Sequence, residues 1–210
     1  MSAEEARAPF WPVPIVRAVP AILVGLVITF SADHTALFGL LAFGGFAVVS
    51  GAVLAWGALR LEDRVLRGIA LGQALASVIA GAAALILCTT GPGTLFLLVA
   101  SFAAVTGFLE IYLGLRARGR HPAAREWLPL GAMTALLALA VLLVPADYAL
   151  PWASTGNGVV VSGVLTSQII VVGVFGAYAI LAGVFLVIGG LSARWTAQEK
   201  PATIAALGGN

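Results

Sequence analysis

The chain has 210 residues, of which 61% are hydrophobic and 10% are charged, and its mean hydropathy is +1.07. Soluble domains carry roughly a quarter charged residues, so this composition excludes an ordinary soluble domain and indicates a chain that folds in lipid. The net charge is +2, from eleven basic and nine acidic residues. The single cysteine, Cys88, excludes a disulfide framework within the chain.

Six long apolar segments follow one another along the sequence. Each is close to the roughly 20 residues that an α-helix needs to cross a hydrocarbon layer of about 30 Å. The strands of a membrane β-barrel would be about ten residues long and would alternate polar with apolar side chains, which excludes that class. The sequence therefore predicts an all-α integral membrane protein with six transmembrane helices, at 15–31, 37–59, 68–87, 94–115, 128–144 and 168–191.

Pairs of small residues, four positions apart, recur in these segments with an offset of 56 residues between the first two copies. The pairs are Ala21/Gly25, Ala47/Gly51, Ser77/Gly81, Ala103/Gly107 and, in a third copy, Thr134/Ala138 and Ala179/Gly183. In lipid, small residues let helix backbones approach closely, and helix association depends on that approach. We therefore expect helix–helix contacts at Gly25, Gly51, Gly81, Gly107 and Gly183.

The repeat divides the chain into three helical hairpins, at 17–60, 67–116 and 125–194. The third contains an insertion at about 146–167 that lengthens it by 19 residues. The apolar stretch 153–167 is too short to span a membrane, and a re-entrant piece, an extension of the sixth helix and a flap are all open. The remaining segments, 1–16 and 195–210, are predicted as tails, and 1–16 lacks the pattern of a cleaved signal peptide.

All eleven basic residues fall on one side of the predicted spans, and the opposite loops, at 31–36, 89–93 and 145–167, contain none. Basic residues are enriched in cytoplasmic loops. We therefore expect a multi-pass protein with both termini in the cytoplasm and the lipid bilayer as its surroundings. The use of ten arginines and one lysine, with many Ala, Gly, Leu and Val residues, is typical of a high-GC bacterial genome, so the expected membrane is the bacterial plasma membrane. Because the arginines are spread over separate loops, a nucleic-acid partner is not predicted.

Glu110 interrupts the apolar pattern about 9 Å inside the nearest arginine loop. The repeat places leucines, Leu54 and Leu186, at the matching positions of the other two hairpins. A carboxylate at this depth needs a partner, and the candidates are Arg17 and Gln73, which occupy one repeat position on the first and third helices. Such an intramembrane polar cluster marks a functional site or an interhelical staple, and both interpretations stay open.

Each hairpin ends in a glycine-containing apolar stretch followed by an arginine: SGAVLAWGALR at 50–60, TGFLEIYLGLR at 106–116 and AGVFLVIGGLSAR at 182–194. These segments resemble the repeat of the HdeD family, small bacterial inner-membrane proteins of six predicted spans associated with acid resistance. The resemblance covers roughly 17–194 and implies a stress-related integral membrane protein. It supplies no catalytic residues, and both the long insertion and Glu110 depart from the family pattern.

Packing residues are plentiful in this sequence, whereas residues that carry chemistry are few. No metal-ligand spacing, nucleophile elbow or phosphate-binding motif is present in the sequence, so no catalytic residue, metal or cofactor is predicted. We expect a non-enzymatic protein of the HdeD type, acting in the envelope or as a partner of other membrane proteins or of a second copy. The alternative is a small transporter or channel that uses the cluster around Glu110. Such a protein needs a polar pathway, and the available polar residues are too few and too dispersed to require one: Arg17, Gln73, Glu110, Thr29, Ser50, Ser101 and Thr106.

Overall fold

The computed structural model describes residues 11–121, 123–156 and 159–207. The predicted tails therefore lie partly outside the described residues, at 1–10 and 208–210. Within the described residues the chain forms six helices and one pair of strands. They are α1 (Pro12–Phe30), α2 (Ala36–Ala58), α3 (Arg64–Ile86), α4 (Pro92–Ala117), α5 (Ala124–Leu143), β1 (Ala149–Gly156), β2 (Val159–Thr166) and α6 (Ser167–Leu207).

Six helices of the described chain are long and apolar enough to cross a membrane, with the span in α6 covering Ser167–Trp195. The predicted all-α fold is confirmed, and the chain is a multi-pass membrane protein. Two helices reach further than the sequence predicted. The first begins at Pro12, inside the predicted tail 1–16, and α6 continues through the predicted tail 195–210 as far as Leu207.

Local sequence signals set several helix boundaries. The Thr35 side chain accepts a hydrogen bond from the backbone N–H of Phe38 (3.3 Å) and caps α2. The Asp63 carboxylate caps α3 in the same way, accepting from the N–H groups of the second and third residues that follow it. Such caps satisfy backbone donors that the first helical turn leaves free. Gly91, with φ of 104°, makes the sharp turn before Pro92, the first residue of α4.

The six helices form a closed ring in which each contacts the next and α6 contacts α1. The most extensive contacts join α2 to α3, α4 to α5 and α6 to α1, that is, the second helix of one repeat copy to the first helix of the next. The two helices within each predicted hairpin share smaller contacts. The tightest packing therefore lies between repeat copies rather than within them, and the ring closes with pseudo-threefold symmetry.

Close backbone approach explains these pairings. A Cβ atom at Gly107 would lie 2.8 Å from the backbone nitrogen of Ala135, and one at Gly81 would lie 2.8 Å from the Gly44 carbonyl oxygen. A Cβ atom at Gly183 would lie 2.5 Å from a side-chain carbon of Ile22. These three seams join α4 to α5, α3 to α2 and α6 to α1, so each of the tight pairs has a glycine where the two helices meet.

The predicted insertion folds as an antiparallel hairpin of β1 and β2, paired from Ala149 opposite Thr166 to Gly156 opposite Val159. Trp152 lies opposite Gly163, and a Cβ atom at Gly163 would be 3.0 Å from the indole ring. Ser167 anchors the hairpin to α6, since its hydroxyl donates to the Ala146 carbonyl oxygen (2.8 Å). Of the three structures left open for 153–167, the extension of the sixth helix is wrong, because the described residues before Ser167 are strands.

The two ends of the bundle differ in the loops that they carry. The arginine end carries the start of α1, the loops that follow α2 and α4, and the end of the α6 span. The hairpin end carries the loops that follow α1 and α3 and the β-hairpin.

Candidate functional site

An ion pair lies inside the bundle, towards its arginine end. The Arg17 Nη2 atom on α1 donates to the Glu110 Oε1 atom on α4 at 2.7 Å. The Glu110 side chain is 4% exposed and that of Arg17 is 15% exposed. A charge-assisted hydrogen bond of this length is strong, and here it compensates a carboxylate that would otherwise be buried alone.

The ion pair belongs to a ring of six side chains, one from each helix, that occupy equivalent positions of the repeat. This set, the ion-pair layer, consists of Arg17, Gln73 and Leu130 on α1, α3 and α5 and Leu54, Glu110 and Leu186 on α2, α4 and α6. All six line one central chamber of about 50 Å³. The chamber therefore lies on the pseudo-threefold axis of the bundle.

A second ring of repeat-related residues lines the same chamber one helical turn nearer the hairpin end. This hydroxyl layer consists of Ala21, Ser77 and Thr134 on α1, α3 and α5 and Ser50, Thr106 and Ala182 on α2, α4 and α6. Three of its hydroxyls, on α3, α4 and α5, donate to the carbonyl oxygen four residues earlier in their own helix, at 2.9, 2.6 and 2.8 Å. The small size of these residues leaves the space that forms the chamber.

Three aromatic residues complete the chamber wall, and they too are equivalent in the repeat. This aromatic rim consists of Phe46 on α2, Phe102 on α4 and Tyr178 on α6. The Tyr178 hydroxyl lies 2.8 Å from the Thr134 Oγ1 atom. Because the Thr134 hydroxyl donates its one hydrogen to the Leu130 carbonyl oxygen, Tyr178 is the donor in this pair.

Each of the chamber's repeat-related sets contains at least one polar member beside apolar or small equivalents. The next set towards the hairpin end, Phe43, Val99 and Phe175, lies outside the chamber and is apolar in all three copies. These three side chains are at most 1% exposed. Apolar residues are therefore sufficient for packing at that level. The positions at which one copy of the repeat has a polar side chain and another does not are concentrated around the chamber.

Glu126 on α5 is a second carboxylate near the ion pair. It is half-buried, and its side chain lies 3.3 Å from the position that a Cβ atom at Gly189 of α6 would take. Arg17 interacts electrostatically with this carboxylate as well. The guanidinium on α1 therefore contacts the carboxylate on α4 and lies within electrostatic range of a second carboxylate on α5.

The three residues of the predicted polar cluster all line the central chamber. Arg17 contacts Glu110 directly, whereas Gln73 faces the same space and its Oε1 atom has no hydrogen-bond partner among the described residues. Two other polar residues considered from the sequence, Thr29 and Ser101, are exposed on the outside of the bundle.

Ser50 and Thr106 are dispersed along the sequence but come together at the chamber. The structure also places three residues at or near the site that were not predicted there from the sequence: Thr134, Tyr178 and Glu126. The repeat offset was the signal that could have found Thr134 and Tyr178, since it aligns them with Ser77 and Phe102. For Glu126, at the start of α5, the sequence carries no comparable signal.

The five glycines predicted at helix contacts are all buried, at Gly25, Gly51, Gly81, Gly107 and Gly183. Their partners lie on the neighbouring helix of the ring in every case. Within the described residues, no group of three or more His, Cys, Asp or Glu side chains is arranged to hold a metal ion.

Fold and site together define a multi-pass membrane protein that is built from an internal helical repeat around a polar chamber. A family model described as "Short repeat of unknown function (DUF308)" matches residues 72–144, from within α3 to just beyond α5. Neither the curated proteins nor the solved structures include a significant match to this chain.

Proposed function

We propose that this chain is a non-enzymatic membrane protein of the HdeD type, acting in the stress response of a bacterial envelope, alone or as a partner of other membrane proteins. The observation that carries the proposal is the match to the short-repeat family over 72–144, because HdeD belongs to that family. The resemblance of the three segments at 50–60, 106–116 and 182–194 supports it.

The architecture is compatible with this function. Repeat-related small residues close the ring of helices, and the Phe43, Val99 and Phe175 side chains fill the axis between the chamber and the hairpin end. Such a closed bundle presents its outer helix faces to lipid or to other membrane proteins. The expected setting is the plasma membrane, with the arginine end in the cytoplasm, because basic loops are retained there.

Deletion and complementation test this function. A strain that lacks the chain is expected to survive acid and envelope stress less well than its parent, and the wild-type chain should restore survival. The Gly72→Ala variant is the control for complementation by a substituted chain. It should restore survival as the wild-type chain does, because a Cβ atom there meets nothing within 4 Å. Unchanged survival of the deletion strain under these stresses, with no stoichiometric protein in native co-purification, would contradict the proposal.

A second candidate function is transport of protons or a small polar solute by the cluster around Glu110. The central chamber favours it, because eight of its fifteen lining residues are polar or charged. Purified protein in liposomes should then carry a flux that Glu110→Gln abolishes without loss of folding. The exposed Ser101→Ala variant, on the same helix, should keep the flux. Flux no greater than in protein-free liposomes would rule out transport.

A further inference from the structure

We propose that the central chamber is a binding site for a cluster of about three water molecules, or for one uncharged hydrogen-bonding solute of equal size, with Gln73 and Ser50 as its anchors. The geometry of the chamber is the same whether the chain acts in a stress response or in transport.

Unpartnered polar atoms point to an occupant. The Gln73 residue is 3% exposed, and its Oε1 atom has no hydrogen-bond partner in the part of the chain that the structure describes. The Ser50 Oγ atom is buried without a partner in the same residues. Both side chains line the chamber, one on α3 and one on α2. Buried polar groups in folded proteins are almost always paired with protein or with ordered water.

The surrounding groups offer both kinds of hydrogen bond. The Ser77, Thr106 and Thr134 hydroxyls use their hydrogens on backbone carbonyls, so their oxygens can only accept. The amide of Gln73 and the hydroxyl of Ser50 can donate. An occupant must therefore both donate and accept, as water and small amides or alcohols do.

The charge and volume of the chamber further restrict which molecules can occupy it. The lining contains one cation and one anion, Arg17 and Glu110, and these are paired with each other. An ion in the chamber would lack a compensating charge, which favours an uncharged occupant. One water needs about 10–15 Å³ of such space, so a chamber of about 50 Å³ takes a few water molecules or one solute of a few heavy atoms.

Entry is expected from the arginine end. A smaller cavity, of about 10 Å³, shares Arg17, Gln73 and Glu110 with the chamber and extends from them to Leu61 and Trp127. At the other end, Phe43 packs edge-on against two phenylalanine rings of α4 and α6, with centroids 5.2 and 5.6 Å away. The aromatic packing therefore closes the side towards the hairpin end, and the side beside the ion pair is the expected route of entry.

Radiolytic hydroxyl-radical labelling of the full chain in lipid nanodiscs, read by mass spectrometry, tests the proposal, because bound water supplies radicals locally. Leu130 and Leu186 line the chamber and are 2% and 3% exposed, whereas Leu40 and Leu95 are 0% and 1% exposed and lie outside its wall. Occupancy predicts severalfold faster oxidation of the first pair than of the second, although all four leucines are at most 3% exposed. Equal rates in the two pairs would overturn the proposal.

Two further labelling experiments identify the anchoring residues and the occupant of the chamber. The Gln73→Leu variant should slow Leu130 oxidation severalfold. Ser50→Ala should have the same effect and provides the test if Gln73→Leu does not fold. Unchanged Leu130 oxidation in folded variants would overturn the role of the anchors. Excess formamide, with rates normalised to the exposed Leu97, should protect Leu130 if the chamber admits small solutes and leave its rate unchanged if the chamber holds water alone.

Discussion

The Arg17 guanidinium and the Glu110 carboxylate are 93 residues apart in sequence and 2.7 Å apart in the structure, where they join α1 to α4 across the bundle axis. Removing one member of a buried ion pair leaves the other uncompensated, which typically costs about 3–5 kcal/mol. We expect Glu110→Leu to lower the free energy of unfolding by about 3 kcal/mol, because Arg17 then loses the acceptor of its buried hydrogen bond. Glu110→Gln should cost much less, because an amide oxygen still accepts from Arg17.

A double-mutant cycle in detergent, followed by thermal unfolding, separates the pair from its surroundings. The Arg17→Leu/Glu110→Leu double variant should recover most of the stability that either single variant loses. Additive losses in the double variant would show that the two side chains do not interact in the folded protein.

The glycine seam between α4 and α5 gives the second prediction. A Cβ atom at Gly107 would lie 2.8 Å from the Ala135 backbone nitrogen, and backbone cannot move aside cheaply. Gly107→Ala should therefore lower the free energy of unfolding by about 1–3 kcal/mol, the usual cost of overpacking.

Gly72 on α3 is the matched control, since nothing lies within 4 Å of a Cβ atom there. Gly72→Ala should be neutral or slightly stabilising, because alanine is the better helix former. Equal destabilisation by the two substitutions would argue against close helix approach at Gly107.

His121, in the loop between α4 and α5, gives a pH-dependent prediction. Its Nδ1 atom accepts a hydrogen bond from the Ala123 N–H at 3.2 Å, and its ring stacks on Trp127 at a centroid distance of 5.5 Å. Burial lowers the pKa of His121 below its ordinary value of 6.5. The folded state then binds fewer protons than the unfolded state as pH falls below 6.5, so folding stability decreases with decreasing pH over that window.

Unfolding temperatures measured between pH 7.5 and pH 5.5 should therefore fall more steeply for the wild-type chain than for His121→Asn. Asparagine is chosen because its side-chain oxygen can still accept from Ala123 and does not titrate. Parallel pH profiles for the two proteins would exclude His121 as the group responsible.

Much of this architecture could be predicted from the sequence, because hydropathy and the repeat report directly on helices that cross lipid. The offset that aligns Arg17 with Gln73 and Leu54 with Glu110 also indicated which residues share a depth. It did not indicate which helices pack most tightly. That depends on matching surfaces between copies, such as Gly107 against Ala135, and a repeat pattern is compatible with tight pairing either within or between its copies.

The β-hairpin at Ala149–Thr166 could not be predicted from the sequence, for a different reason. Its residues are apolar enough to suggest a membrane segment, and its pairing depends on contacts across the strands, such as Trp152 over Gly163. The chamber could have been found in part, since Ser77, Thr106 and Thr134 share a depth in the repeat. Which face of each helix points to the axis is decided only by packing.

Sided cysteine labelling in intact cells most directly tests the claim on which the others depend, that six helices cross the membrane and place both arginine loops on its cytoplasmic side. In a Cys88→Ala background, Asp33→Cys and Ser154→Cys at the hairpin end should react with an impermeant thiol reagent added outside. Arg64→Cys and Arg120→Cys at the arginine end should react only after the cells are permeabilised. Labelling of the arginine-end positions in intact cells, with the hairpin-end positions protected, would contradict this topology.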